Sequence, residues 1–280
     1  ESQCFFLKIM HTQGRQALFI NGLRVVDALV RQGIDFIPEV IKLISGEFYF
    51  MKDGSAVALF TVVPGKQNFN YNREDVFRKL ALIHRTSENI TERDGFLHED
   101  FNDWFIEAYE SELEKFMKGN IEGTEALEVK AMLKPYEDFL AICPQIARDI
   151  VSECKNDNST FYITHSDFPG NVMVTETGQQ YLIDFDEAIF GPLERDSWIC
   201  IAPQDEYSEL YMSVIEEVFP DYMVNKTFMR FYIYQRFMID LNTFMHDLVH
   251  SPDEEYRKKI VSSTRDYMLG WLYPLLIKNS

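Results

Sequence analysis

The chain is short of positive charge: 27 Lys and Arg stand against 45 Asp and Glu in 280 residues, a formal net charge of −18. Such a surface repels phosphate backbones, which argues against nucleic-acid binding driven by counterion release, while cationic small molecules are attracted. Cysteine is scarce too. Cys4, Cys143, Cys154 and Cys200 form no C-x-x-C pair and share no metal-type spacing with His, which speaks against a zinc module or a disulfide scaffold and makes the reducing cytoplasm the expected location. Long apolar runs are missing. Stretches such as 56–63 fall far below the roughly 20 residues that cross a bilayer, and no basic segment followed by an apolar one opens the chain, so no membrane partner is expected. Internal repeats and low-complexity tracts are absent.

Large apolar side chains are plentiful, with 23 Phe, 14 Tyr and 3 Trp in a chain that is 46% hydrophobic. A solvated acidic tail could not keep them exposed, so the chain folds around a core. At this length single cores stop growing and chains split, so two unequal lobes are expected.

The pattern along the chain supports that division. Cys4-Phe5-Phe6-Leu7-Lys8-Ile9 is a short β-type run with one Lys inside it. Apolar residues at helical spacing from Ala17 to Gln32 end at Gly33, a usual helix stop. Two β-rich runs, 41–51 and 56–63, flank Asp53-Gly54, a strong hairpin signal. Pro64-Gly65-Lys66-Gln67-Asn68 breaks the pattern and is read as a hinge. Helical periodicity follows over 72–86, 101–118, 123–133 and 135–154, with Pro144 expected to kink or split the last of these. A β insertion occupies 161–189, and helices resume over 205–219, 226–250 and 253–273. The expected class is α+β, with a small β-rich N-terminal lobe over 1–63 and a larger, mainly helical C-terminal lobe over 64–280.

The β insertion carries the chemistry. His165-Ser166-Asp167-Phe168-Pro169-Gly170-Asn171 and Asp184-Phe185-Asp186 are joined by a predicted hairpin, whose closed ends would gather Asp167, Asn171 and Asp184 around one point. Carboxylates with a carboxamide are hard oxygen ligands suited to Mg²⁺. Phosphoryl transfer needs this kind of set: one Asp to take or orient the proton of an attacking hydroxyl, and an Asn and a second Asp to hold metal on a nucleotide.

These motifs, with Ile183-Asp184-Phe185-Asp186 and Gly191-Pro192-Leu193-Glu194-Arg195-Asp196, resemble the aminoglycoside phosphotransferase family of kinase-fold enzymes, which includes choline and homoserine kinases. Phe6-Leu7-Lys8-Ile9 is similar to the strand carrying the family's nucleotide-binding lysine, and Leu80-Ala81-Leu82-Ile83-His84 to its post-hinge helix. The segment Ile183 to Ala188, with Glu-Arg-Asp downstream, is most similar to the spectinomycin phosphotransferase-like branch. The resemblance implies a bilobal protein-kinase-like fold. It implies Asp167 as catalytic base, Asn171 and Asp184 as Mg²⁺ ligands, and Asp186 as a second-metal or water contact, against its alternative reading as a turn cap. Lys8 would contact the phosphates of ATP, with GTP as the alternative donor, and backbone groups of Phe60, Thr61, Val62 and Val63 would hold the base. Asp196 would brace the catalytic loop, and His165 would fix it through hydrogen bonds. Asp240, Glu206 and Asp205 are weak candidates for a cationic acceptor, each equally readable as solvated helix face.

The implied activity is transfer of the γ-phosphate to a hydroxyl of an aminoglycoside-like or other amine-bearing acceptor, with antibiotic resistance as its setting, in a monomer or homodimer. Choline, homoserine or sugar kinase activity, or a nucleotide-binding pseudokinase, are the alternatives. Three departures mark the chain. Only three residues separate Asp167 from Asn171 where the kinase catalytic loop has four. No acidic residue lies between Lys8 and Asp27 to supply the usual helix partner of the lysine. Only seven residues precede Lys8, so the first strands and the glycine-rich phosphate loop of the family are expected upstream of Glu1.

Overall fold

A computed structural model describes residues 4–157 and 159–279. In chain order the elements are β1 (Phe5–Met10), α1 (Gln16–Arg31), β2 (Phe50–Lys52), β3 (Ser55–Thr61), β4 (Lys66–Gln67), α2 (Arg73–Thr86), α3 (Trp104–Lys118), α4 (Thr124–Leu133), α5 (Glu137–Lys155), β5 (Tyr162–Thr164), β6 (Val172–Val174), β7 (Gln180–Leu182), β8 (Ile189–Gly191), α6 (Glu194–Ile201), α7 (Glu206–Val218), α8 (Lys226–His250), α9 (Glu254–Ser263), a π-helical stretch Thr264–Leu272, and α10 (Tyr273–Lys278). The fold is mixed α+β, with a small β-rich part and a larger helical part. No helix among the described residues is long and apolar enough to cross a membrane.

The chain divides into two units, one of residues 1–99 and 159–223, the other of residues 100–158 and 224–280. In the first, β1 and β2 flank β3 in an antiparallel sheet that places Lys8 opposite Ala58. The β2–β3 turn explains its sequence: Asp53 and Gly54 both have positive φ, 49° and 77°, as a type I′ hairpin requires. Helix α1 buries Phe19, Leu23, Val26 and Leu29 on one face. The β6–β7 hairpin aligns Val172 with Leu182, and β4 pairs with β6, Lys66 opposite Val174. Strands β5 and β8 pair with Thr164 opposite Ile189. Helix α2, capped by the Asn72 side chain, carries the buried His84.

In the second unit α8 buries Phe228, Phe231, Phe237, Leu241 and Met245 along one stripe. Phe101 stacks on Phe228 at 5.0 Å, and Phe105 meets Phe231 edge-on at 6.0 Å.

Three expectations need correction. Of the β-rich run 41–51 only the last two residues are strand. The rest is held by isolated bonds, Ile41 N–H to Leu59 O at 2.8 Å and Leu43 N–H to Glu47 O at 2.8 Å, around a turn in which Gly46 takes φ +88°. Pro144 does not split its helix: α5 runs unbroken from Glu137 to Lys155. The ring removes one N–H donor, but Leu140, Cys143, Pro144, Ala147 and Ile150 are all buried, so packing on both sides holds the helix together. The last predicted helix, 253–273, is α-helical only to Ser263 and then passes through a π-helical stretch.

Candidate active site

A cavity of about 430 Å³ in the first unit is lined by apolar groups of β1, α1 and β3, among them Phe6, Leu23, Val26 and Phe60. Thr61, Val62 and Val63 also line it, and Lys8, Asp184 and Asp186 supply its charge. Apolar walls with a few convergent polar groups are the usual make-up of a small-molecule site.

Lys8 reaches across 176 residues of sequence to Asp184 Oδ1, 2.6 Å away. The same ammonium lies 2.8 Å from Asp186 Oδ2. The carboxylate partner of Lys8 is thus the strand-end pair and not a helix residue. Burial pushes the Asp186 carboxyl up and the Asp184 charge adds to this, outweighing the opposite pull of Lys8 and Arg15. Two carboxylates converging on one cation form a site whose charge is completed by a positive group.

Gly22 makes that approach possible. A Cβ there would run into the backbone carbonyl of Phe185, so only glycine lets α1 lie against the Asp184–Asp186 segment. The adjacent Asn21, buried in α1, donates from Nδ2 to Ala188 O at 2.6 Å and accepts from Leu97 N–H at 2.7 Å. Asp184 itself has φ 66°, a left-handed conformation uncommon outside glycine.

The loop that carries Asp167 is fixed from behind. His165 is fully buried; its Nε2 lies 2.9 Å from Ile183 O and must donate, while Nδ1 accepts from Asp167 N–H at 3.3 Å. These bonds fix the ring between Ile183 and Asp167 and make His165 a positioning residue. Asp196 accepts from His84 Nε2 at 2.9 Å, from His165 N–H at 2.9 Å and from Ser166 N–H at 2.5 Å. Burial alone would raise this carboxyl; the His84 hydrogen bond and charge, with the backbone N–H, hold it below its ordinary value. Ser166 takes φ 75°, so the loop turns sharply just before Asp167. Arg195 completes the frame, donating to Thr164 Oγ1 at 3.0 Å and to Glu187 O at 3.0 Å.

The shortened loop keeps Asp167 and Asn171 in contact. Phe168–Gly170 form a single 3₁₀ turn, closed by Asn171 N–H to Phe168 O at 3.0 Å. Asn171 Nδ2 then donates to Asp167 O at 2.8 Å and to Asp167 Oδ2 at 3.0 Å. Its Oδ1 is the amide atom that can act as ligand. A bond from Ile183 N–H to Asn171 O at 3.0 Å sets Asn171 beside the residue that precedes Asp184.

Two of the three acceptor candidates have other partners. Asp205 caps α7 through a capping box, accepting from Tyr207 N–H and Ser208 N–H. Glu206 is exposed in the first turn of the same helix, and neither residue lines the cavity. Asp240, in the second unit, is 2.6 Å from Arg236 Nε and accepts from Tyr267 O–H at 2.8 Å. Burial holds the Asp240 carboxyl above its ordinary value against both partners and, with the Asp240 charge, pushes Tyr267 up to about 12.

Sequence reading missed Asn21, Gly22, His84 and Arg195 as parts of this site. Only Gly22 carried a signal, a glycine interrupting an otherwise periodic helix.

A model of the phosphotransferase enzyme family matches residues 1–223. Among solved structures, a spectinomycin phosphotransferase with ADP and spectinomycin superposes with a TM-score of 0.76 at 17% identity, covering 100% of this chain and 87% of that one. An aminoglycoside phosphotransferase from Alicyclobacillus acidocaldarius gives a TM-score of 0.63 at 16% identity, with 99% and 87% covered. An amicoumacin kinase solved with AMP-PNP and Ca²⁺ gives 0.56 at 14% identity, with 95% and 82% covered. No curated protein matches the chain significantly.

Proposed function

The chain belongs to the phosphotransferase enzyme family, as a kinase acting on a hydroxyl group, and on that premise we propose that it transfers the γ-phosphate of ATP to an aminoglycoside-like or other amine-bearing acceptor. The observation that carries this reading is the double ion pair of Lys8 with Asp184 and Asp186 at the charged end of an apolar cavity. In this assignment the adenine lies against Phe60, Thr61, Val62 and Val63, and Lys8 turns from the carboxylates to the phosphates. The lobe boundary is taken after Val63, where the turn-forming residues Pro64 and Gly65 begin. Neighbours solved with ADP and AMP-PNP favour ATP over GTP as donor.

The donor set fits Mg²⁺. Asp184 and Asp186 already converge on a cation, and Asn171 commits its Nδ2 to Asp167 and keeps a carbonyl oxygen for a ligand role. All are hard oxygens, which Mg²⁺ takes alongside water and phosphate. When bound, the metal offsets the charge that develops on the transferred phosphoryl group.

Asp167 acts on the acceptor. Its backbone is fixed by the His165 ring, and the Asn171 amide bonds one carboxylate oxygen, so the carboxylate is oriented to accept the proton of the attacking hydroxyl. A net charge of −18 favours a cationic acceptor. Phosphotransferases of similar fold solved with spectinomycin and amicoumacin support an antibiotic of that kind, and resistance as the role. Four cysteines without a C-x-x-C pair support a cytoplasmic enzyme.

Replacing Asp167 by Asn removes the proton acceptor while preserving shape. Nucleotide-consumption assays over aminoglycosides, spectinomycin, choline, homoserine and amino sugars should show turnover of the preferred acceptor reduced by about 10²–10⁴-fold, with nucleotide-dependent thermal stabilisation retained. Unchanged turnover would remove Asp167 from the role.

A further inference from the structure

We propose that Glu112 of α3 with His246 and His250 of α8 forms a second metal site, for a zinc-class divalent ion, separate from phosphoryl transfer. The two histidines lie one helical turn apart at the C-terminal end of α8, both exposed, with ring centroids 4.4 Å apart. Glu112 faces them from α3 with its side chain only 12% exposed, and its Oε2 is 4.0 Å from His246 Nδ1. One ligand atom from each of the three residues lies within 4.8 Å of the others.

Two imidazoles and one carboxylate are the donor set of a three-ligand zinc centre, which leaves a fourth position for water. The nitrogens select against Mg²⁺ and Ca²⁺, which require oxygen. Bonds of about 2.0–2.2 Å in a tetrahedron put donors about 3.4 Å apart. The present spacing, at most 4.8 Å, has to close toward that value, and both imidazoles are exposed.

The surroundings leave the carboxylate wanting a cation. The nearest cation to Glu112 among the described residues is Lys115 Nζ at 3.6 Å, and His246 Nδ1 lies at 4.0 Å, both beyond hydrogen-bonding distance. The Lys115 side chain is 69% exposed, so its pairing adds little and is readily displaced. A cation is also favoured at the C-terminal end of α8, where the last carbonyls carry partial negative charge. The ion would tie α3 to the end of α8.

The test is calorimetric titration of the EDTA-treated full chain with Zn²⁺, with millimolar Mg²⁺ present to occupy all-oxygen sites. One saturable site is expected, with a rise in Tm of about 5 °C at a hundredfold excess of Zn²⁺ over its Kd. The H246A/H250A double variant, changed only at exposed positions, should lose both while its phosphotransfer with Mg²⁺-ATP stays at the wild-type level. E112Q should bind more weakly and fold equally well. Equal affinity and stoichiometry in the double variant, or no saturable binding to the wild type, would overturn the site.

Discussion

Asp186 and Asp196 lie ten residues apart, both withdrawn from solvent, and their carboxyls are driven in opposite directions. At Asp186 burial and the neighbouring Asp184 outweigh Lys8 and Arg15, so the proton is held more tightly than usual. At Asp196 burial acts the same way but is overcome by His84 and the His165 backbone N–H, so the proton is held less tightly. The difference lies in what each carboxylate faces. Asp196 has its donors built into the fold and serves as the post of the catalytic loop. Asp186 shares one ammonium with a like charge, an arrangement that favours stability less and readiness for a second cation more.

The most severe way to break the Asp196 side of this contrast is Asp196→Ala, which strips the acceptor from His84, His165 and Ser166. Chemical denaturation should report a loss of about 3–5 kcal/mol, as for other broken buried pairs; a loss below about 1 kcal/mol would mean that the loop is held by something else. The Asp186 side is reached through Gly22→Ala, whose new methyl group meets the Phe185 carbonyl. Overpacking of about 1–3 kcal/mol exceeds the roughly 1 kcal/mol gained from helix propensity, so a modest destabilisation with weakened nucleotide binding is expected. Intact nucleotide affinity in this variant would argue that the Asp184–Asp186 segment does not bind nucleotide.

Asp205→Ala supplies a carboxylate with a purely structural task. Loss of the α7 cap should lower stability by about 1 kcal/mol with acceptor turnover unchanged, and a fall in turnover would return Asp205 to the acceptor site. The smallest stability effect belongs to Asp186→Asn, and its sign is opposite. A carboxyl held above its ordinary value destabilises the folded state once ionised, so the neutral amide should stabilise the protein at neutral pH. That advantage should fade as pH falls from the raised folded value to the ordinary carboxylate value, below which the wild-type group is protonated in both states. Asp196 behaves in reverse: its contribution is complete above the ordinary value and lost as pH falls through its own lowered one. Urea midpoints measured against pH for the wild type, Asp186→Asn and Asp196→Asn would show whether the two curves diverge in this way.

Local chemistry was readable where it rests on neighbours in sequence. Asp53-Gly54 dictated its turn because both positions need positive φ, and the apolar stripe of 226–250 set its helix to the residue. The turn over Phe168–Gly170 keeps Asp167 with Asn171, and the predicted hairpin, seen as β6 and β7, sets Asn171 beside Ile183. Residues 41–49 misled because β-propensity does not say whether a partner strand lies alongside. Pro144 misled because packing on both sides of the ring outweighs one absent donor.

By itself the sequence determined the acidic surface, the order of elements and the residue types of the candidate site, since charge, periodicity and turn chemistry act over a few residues. Tertiary structure alone decided that Lys8 finds Asp184 across 176 residues and Asp186 beside it, that His84 finds Asp196 across 112, and that Gly22 gives way to Phe185. Those pairings are set by desolvation, which makes a buried charge or donor take whatever partner the packed chain brings within reach, and no local pattern encodes which partner that will be.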